Sequence, residues 1–115
     1  MKSYLFTLAI LLLVAAKTME RDKLPLCIQQ RIDEIKQQPR WNPPAEVYEY
    51  SYNGKRVFYF TSNCCDRYIE VYDEKCNYIC APAGGATGKG DGKCSDFITK
   101  AQYVKLIWKD DRTSP

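Results

Sequence analysis

Cysteine is the residue type whose number and spacing carry the clearest chemistry in this 115-residue chain. The six cysteines form an even set: Cys27, Cys64, Cys65, Cys76, Cys80 and Cys94. In a small exported domain, such a set predicts a framework of disulfide bonds. A zinc site would need two pairs of cysteines about two to four residues apart, and only Cys76 and Cys80 have that spacing. We therefore expect disulfides, no metal and no free thiol, with zinc or a redox-active pair as the alternatives.

The sequence constrains the pairing of these cysteines only in part, because six cysteines allow many connectivities. Cys64 and Cys65 are neighbours whose side chains point to opposite sides of an extended chain, so we expect each to have a different, distant partner. A helix that contains Cys27 must be tied to a sheet, which favours Cys64 or Cys65 as its partner. Cys94 is expected to pair with Cys80 or Cys65, either of which would restrain the glycine-rich segment.

A second group of chemically useful residues lies on this glycine-rich segment. Five glycines within 84–92 permit unusual backbone angles and a close approach to a ligand. We expect any functional surface to lie here, on a loop that presents Lys89, Asp91, Lys93 and Asp96, with Asp66 nearby. The two lysines would contact an anionic or carbonyl-bearing partner, and Asp91 would orient them. An unknown protein or anionic partner in the cell envelope is the expected ligand.

Three alternatives exist for the glycine-rich segment. Its spacing differs from that of a phosphate-binding loop, because only three residues separate Gly84 from Gly88-Lys89 and no Ser or Thr follows the lysine. A calcium site would need about 6–8 oxygen ligands, and the flanking lysines would repel the ion. The third alternative is a surface loop that is restrained by a disulfide and binds nothing.

Tyrosine is the third residue type that could form a recognition surface, because its side chain offers a large contact area with few rotamers. Tyrosine is also a good strand former that often lies half-buried. We therefore favour a core or rim position in a sheet for the six tyrosines concerned: Tyr48, Tyr50, Tyr52, Tyr59, Tyr72 and Tyr78.

Catalysis has little support in the composition. Histidine is absent, which excludes a Ser-His-Asp triad, a Cys-His pair and a His-ligated metal. Four carboxylates could in principle hydrolyse a glycoside, but their spacing shows no catalytic pair: Asp66, Glu70, Asp73 and Asp91. The net charge of +3 is too small to indicate nucleic-acid binding. We expect a non-catalytic binding or interaction module without a cofactor, with a small carboxylate hydrolase or a structural envelope component as the alternatives.

The N-terminus indicates the compartment. Lys2 precedes an apolar run of about 12 residues that ends at Ala16, which is the pattern of a secretory signal peptide. The run is shorter than the roughly 20 residues that a membrane helix needs. We expect a signal peptide at 1–16, a flexible leader at 17–23 and one small domain at 24–112. The protein would be periplasmic or extracellular without a membrane span, or membrane-anchored if the signal is not cleaved.

The remaining pattern predicts the elements that must position these residues. Apolar residues recur at helical spacing over 24–38, and Asp22 is a candidate cap. Asn53-Gly54 between two β-forming runs, 46–52 and 55–62, predicts a hairpin with a type I′ turn that places Tyr52 opposite Lys55.

Further along the chain, 69–73 and 78–81 predict a second hairpin, 95–103 a short helix capped by Ser95, and 104–109 a last strand. Together these elements predict a disulfide-stabilised α+β domain, with an N-terminal amphipathic helix packed on an antiparallel sheet of four or five strands. An all-β barrel with the helix as a lid is the alternative.

The strings Cys64-Cys65-Asp66 and Gly88-Lys89-Gly90-Asp91-Gly92-Lys93-Cys94 are the most specific part of a resemblance that extends from Cys27 to Arg112. Over this range the chain resembles a family of small exported proteins of unknown function from Gram-negative bacteria. Members of that family are often described as lipoproteins. This chain departs from them, because Leu24-Pro25-Leu26 before Cys27 is a poor lipobox. The resemblance implies a location and a fold, and no activity.

Overall fold

The computed structural model describes residues 23–113, which form a small α+β domain with one antiparallel sheet of five strands. The predicted signal peptide at 1–16 and nearly all of the predicted leader lie outside the described residues. In chain order, the elements are α1 Leu26–Lys36, β1 Glu46–Tyr52, β2 Lys55–Phe60, β3 Tyr68–Asp73, β4 Tyr78–Gly84, α2 Phe97–Lys100 and β5 Gln102–Lys109.

Helix α1 is shorter than the predicted helix over 24–38 and follows residues 1–22 rather than standing at the N-terminus of the chain. It has 11 residues and buries three isoleucines against the sheet: Ile28, Ile32 and Ile35. Pro25 occupies the position before its first turn, where its missing N–H group costs nothing. The predicted cap, Asp22, lies outside the described residues. No helix within 23–113 is both long and apolar enough to cross a membrane.

The first hairpin forms with the predicted turn and register. Asn53 and Gly54 both have positive φ angles, 52° and 74°, as a type I′ turn requires. Tyr52 therefore pairs with Lys55, Tyr50 with Val57 and Tyr48 with Tyr59. This register places the tyrosines of β1 on one face of the sheet.

The complete sheet has the strand order β4-β3-β2-β1-β5 and is antiparallel throughout. The second hairpin, β3–β4, is longer than predicted, since it extends from Tyr68 to Gly84. The last strand is also longer than predicted and pairs with β1 with two irregularities in register. The sheet is therefore open, with β4 and β5 at its edges, and the barrel alternative is wrong.

Two clusters of buried side chains cover the two faces of the sheet. On one face, which we call the helix face, the isoleucines of α1 pack on Val47, Phe58, Phe60 and Tyr72. On the opposite face, which we call the tyrosine face, Val57 and Val71 pack against the segment that contains Cys94 and Phe97. The chain after β4 thus folds back under the sheet and covers part of the face that α1 leaves open.

The end of the domain is fastened to the end of α1. The Arg112 guanidinium donates hydrogen bonds to the carbonyl oxygens of Lys36 and Gln38, at 3.0 and 2.9 Å. The same guanidinium contacts the buried Asp110 carboxylate at 2.7 Å. These bonds satisfy carbonyl groups that the last turn of a helix leaves without partners.

Three disulfides join the cysteines, and the prediction of disulfides without free thiols agrees with this arrangement. Of the two partners expected for Cys94, Cys80 is the one that it bonds. The predicted partners of Cys27 are wrong, because Cys27 bonds Cys76 in the β3–β4 turn. The prediction of distant partners for Cys64 and Cys65 is also wrong, because the two bond each other. They do so in a turn, where Cys64 has a φ of 58°, so the geometry of an extended chain does not apply.

Candidate functional site

The glycine-rich segment is held firmly along the edge strand β4. The amide of Asp91 donates a hydrogen bond to the carbonyl of Ala81, and that of Gly90 to the carbonyl of Gly84, both at 3.0 Å. A β-carbon on Gly90, which has a φ of 79°, would lie 2.0 Å from the carbonyl oxygen of Ala81. The Cys80–Cys94 bond closes this segment, so we call residues 80–94 the closed loop. Glycine is needed at position 90 because the loop backbone approaches the strand so closely.

The predicted site residues on the closed loop are placed mostly by bonds within the protein. Asp91 accepts hydrogen bonds from the Tyr78 hydroxyl and, at 3.0 Å, from the Lys93 amide. The Tyr78 hydrogen bond is the main cause that lowers the pKa of the Asp91 carboxyl. The Lys93 ammonium lies 5.5 Å from the centre of the Tyr78 ring, and Lys89 is exposed. Asp91 thus anchors the loop, while both lysines remain at its surface.

Asp96 and Asp66, the other two predicted site residues, occupy separate places. Asp96 precedes helix α2, where it accepts a hydrogen bond from the Tyr52 hydroxyl and lies 3.4 Å from the Lys100 ammonium. The Tyr52 hydrogen bond is the main cause that lowers the pKa of the Asp96 carboxyl. The prediction that Ser95 caps this helix is wrong, because Asp96 occupies the cap position and no side chain makes a capping hydrogen bond there. Asp66 is exposed in the turn after Cys65, and the predicted Cys65–Cys94 bond does not form. The backbone just after Asp66 still meets the start of the glycine-rich segment, because Tyr68 pairs with Gly84.

A cavity of about 170 Å³ opens on the tyrosine face, between the sheet and α2. We call it the aromatic groove, and it is lined by Tyr50, Tyr59, Pro82, Ala83, Phe97, Ile98 and Ala101. The Phe97 ring forms its floor and lies 5.2 Å from the Tyr50 ring and 6.0 Å from the Tyr59 ring, centre to centre. Rings at these distances support one another, so the wall of the groove is preformed.

Exposed apolar side chains surround the aromatic groove. Ile98 is 80% exposed at one side, and Tyr103 and Leu106 on β5 are 59% and 44% exposed. The Tyr103 ring lies 5.9 Å from the Tyr50 ring, which makes the surface continuous from α2 to β5. Isolated exposed apolar residues are ordinary, whereas a contiguous group beside a cavity is typical of an interaction site.

The sequence did not predict this surface as a unit. The interpretation of the tyrosines as core or rim residues fits the buried Tyr52 and Tyr72 and also the half-buried Tyr50 and Tyr59, which line the groove, whereas Tyr78 is 41% exposed. The predicted helix over 95–103 contains all three of Phe97, Ile98 and Tyr103, but the structure places Tyr103 in β5 and only Phe97 and Ile98 in α2. The alternation of β1 could have identified one wall, but the second wall depends on where the Cys80–Cys94 bond places α2.

The rim of the tyrosine face also contains a polar group. The Tyr48 hydroxyl donates a hydrogen bond to the Glu46 carboxylate. This hydrogen bond is the main cause that raises the pKa of Tyr48 to about 12. The Lys109 ammonium lies 3.7 Å from the same carboxylate. Across residues 23–113, no three cysteine or carboxylate side chains come together in a way that could hold a metal ion.

A second cavity, of about 180 Å³, lies on the helix face. The Arg31 guanidinium stacks 3.9 Å from the centre of the Tyr72 ring at this cavity, and the Tyr72 hydroxyl donates a hydrogen bond of 2.7 Å to Glu70. The polar groups here are engaged with one another, so the aromatic groove is the better candidate for binding.

Comparison with known proteins gives one match. The model of a family described as a domain of unknown function, DUF6970, matches residues 33–110, which include all five strands and α2. No curated protein and no solved structure matches the chain significantly.

Proposed function

Since the chain belongs to the DUF6970 family, whose function is unknown, we propose from its geometry that it is a non-catalytic binding module of the cell envelope. The observation that carries this proposal is the aromatic groove with its exposed rim. A preformed, concave and mostly apolar surface is the usual form of a binding site. Tyr50, Tyr59 and Phe97 are among the residues that line it, and aromatic side chains dominate the energetics of protein interfaces.

The proposed partner is a protein that inserts an apolar side chain between α2 and the sheet. The cavity of about 170 Å³ suits one or two side chains rather than a larger ligand. Half-buried tyrosines suit a protein partner, because their rings offer apolar area while their hydroxyl groups pair with polar backbone. Lys89 and Lys93 do not line the groove; they lie at the surface of the closed loop, where they would favour an anionic group on a partner that reaches that far.

Export is part of this proposal. The Lys2-led apolar run that ends at Ala16 supports a signal peptide, and the three disulfides support an oxidising compartment. The resemblance to exported proteins of Gram-negative bacteria points to the periplasm. Mass spectrometry of the protein recovered from its native cell should find a chain that starts at Lys17. A chain that retains residues 1–16 would instead favour a membrane anchor.

A pair of matched variants tests the groove as a binding surface. Ile98→Asp places a charge at the rim of the groove, whereas Leu26→Asp does the same on α1, at an equally exposed apolar residue. The two side chains are 80% and 73% exposed, so neither change should unfold the domain. In a pull-down from envelope extract, we expect the unaltered protein and Leu26→Asp to retain the same envelope proteins. We expect Ile98→Asp to bind them at least tenfold more weakly, which corresponds to about 1.4 kcal/mol of binding free energy. Equal retention by all three would contradict a binding role for the groove.

The two rival functions need separate measurements. A hydrolase that uses carboxylates should turn over a glycoside, ester or peptide substrate and lose that turnover with Asp66→Ala or Asp91→Ala. A structural envelope component should fractionate with the insoluble envelope, and the Ile98→Asp substitution should not change this. The binding proposal predicts no turnover and a soluble variant.

A further inference from the structure

The bonded pair Cys64–Cys65 differs from the other two disulfides in its exposure. Cys80 and Cys94 are 1% and 4% exposed beneath the tyrosine face, and Cys27 and Cys76 are half-buried between α1 and the β3–β4 turn. Cys64 and Cys65 are both exposed, in the turn between β2 and β3. A thiolate in solution can therefore reach this bond without any opening of the fold.

The position of this bond in the chain also sets it apart. The other two bonds join residues 49 and 14 positions apart, and each restricts the unfolded chain. The Cys64–Cys65 bond joins adjacent residues, so it closes no loop of intervening chain and contributes little by that mechanism. A role as a stabilising cross-link therefore does not explain it.

The backbone at this bond is in an unfavourable conformation. Cys64 has a φ of 58°, in the left-handed region that residues with a β-carbon adopt at a cost. Residues held in this region often mark functional positions. Cys76 of the Cys27–Cys76 bond also has a positive φ, of 62°, so exposure and position in the chain are what set the Cys64–Cys65 pair apart.

The surroundings leave room for a reacting group. The two cysteines line an open depression of about 440 Å³ together with Asn42, Pro43 and Ser62. The Asn63 side-chain carbonyl accepts a hydrogen bond of 3.3 Å from the Asn42 amide, which ties the turn to the connector after α1. The rest of the domain is therefore able to remain folded while the bond itself reacts.

From its exposure and its position in the chain, we infer that Cys64–Cys65 is a site of reversible thiol–disulfide exchange with a dithiol. One thiolate of the dithiol attacks a sulfur of the pair, forms a mixed disulfide and releases the other cysteine as a thiolate. The second thiol of the dithiol then attacks the mixed disulfide. The products are an oxidised dithiol, two protein thiols and a net transfer of two electrons and two protons to the protein.

Selective reduction of the native protein tests this assignment. The oxidised protein is incubated with increasing dithiothreitol, alkylated with iodoacetamide without denaturation and digested with trypsin. Residues 57–67 form one tryptic peptide that contains both cysteines. We expect this peptide to gain two labels at a dithiothreitol concentration at least tenfold below that which labels Cys80 and Cys94. Simultaneous labelling of all three pairs, or labelling of Cys64 and Cys65 last, would overturn the assignment.

Two further measurements separate exchange at this site from general unfolding. Digestion without reductant should give peptide 57–67 alone, 2 Da lighter than its dithiol form; a cross-link from it to another peptide would overturn the pairing. The double variant Cys64→Ser, Cys65→Ser should take up no label in the low range of dithiothreitol. Its near-ultraviolet circular dichroism should match that of the oxidised protein and of the selectively reduced protein. A loss of that signal during selective reduction would show that the fold had opened, which also contradicts the proposal.

Discussion

Replacement of Gly90 by alanine tests how the closed loop is attached to β4. The new β-carbon would lie 2.0 Å from the Ala81 carbonyl oxygen and 2.8 Å from the Pro82 carbonyl carbon. Both atoms belong to the backbone of β4, so they cannot rotate away as a flexible side chain would. Gly88 and Gly92 are matched controls, because their φ angles are 75° and 81° but their β-carbons would meet nothing within 4 Å.

The magnitude follows from two separate costs. A residue with a β-carbon loses about 1–2 kcal/mol in the left-handed conformation, and all three alanine variants share that cost. Forcing an extra carbon into a packed contact costs about 1–3 kcal/mol more, and only Gly90→Ala has this second cost. The expected loss of unfolding free energy is therefore about 2–5 kcal/mol for Gly90→Ala and about 1–2 kcal/mol for each control.

Equilibrium unfolding in urea measures these differences, provided that all samples keep their disulfides oxidised. The slope of the transition should stay constant while its midpoint falls, which marks a change in stability. A Gly90→Ala midpoint that matches those of Gly88→Ala and Gly92→Ala would refute the close approach of the loop to β4.

Three other predictions concern thiols and titration. Thiol titration of denatured, unreduced protein should find no free thiol, and two or more per chain would contradict the three-disulfide framework. Tyr78→Phe should raise the pKa of Asp91 towards its ordinary value, measured by carboxyl NMR, because the main cause of the lowered value is removed. The free energy of unfolding should fall as pH rises from about 10 to about 12. In this range Tyr48 loses its proton readily in the unfolded chain, whereas in the folded protein the hydrogen bond to Glu46 keeps it protonated, so rising pH favours the unfolded state. Urea midpoints across this range should show a weaker decline for Tyr48→Phe, and an unchanged decline would contradict that origin.

The sequence predicts the elements that local chemistry determines. Asn53-Gly54 specifies its hairpin, since only a turn with two positive φ angles suits both residues and the twist of the strands. The register of β1 and β2 then follows from the turn alone. The isoleucine spacing likewise predicts the buried face of α1, although its ends differ by about two residues, as is usual for helix boundaries.

The sequence does not predict features that depend on contacts between distant segments. The Cys64–Cys65 bond requires a turn with a positive φ, which nothing in the residue types demanded. Prediction of the Cys27–Cys76 bond would require knowing that α1 lies beside the β3–β4 turn. The aromatic groove depends on α2, which the Cys80–Cys94 bond, the buried Phe97 ring and the Tyr52–Asp96 hydrogen bond together hold against the tyrosine face.

The central claim, that the aromatic groove binds a protein in the cell envelope, is tested most directly by photo-crosslinking in the native cell. A photoreactive amino acid replaces Ile98 at the rim of the groove or, as the control, Leu26 on α1. A specific adduct with an envelope protein from position 98, absent from position 26, is the expected result. No adduct from position 98, or the same adducts from both positions, would contradict the claim.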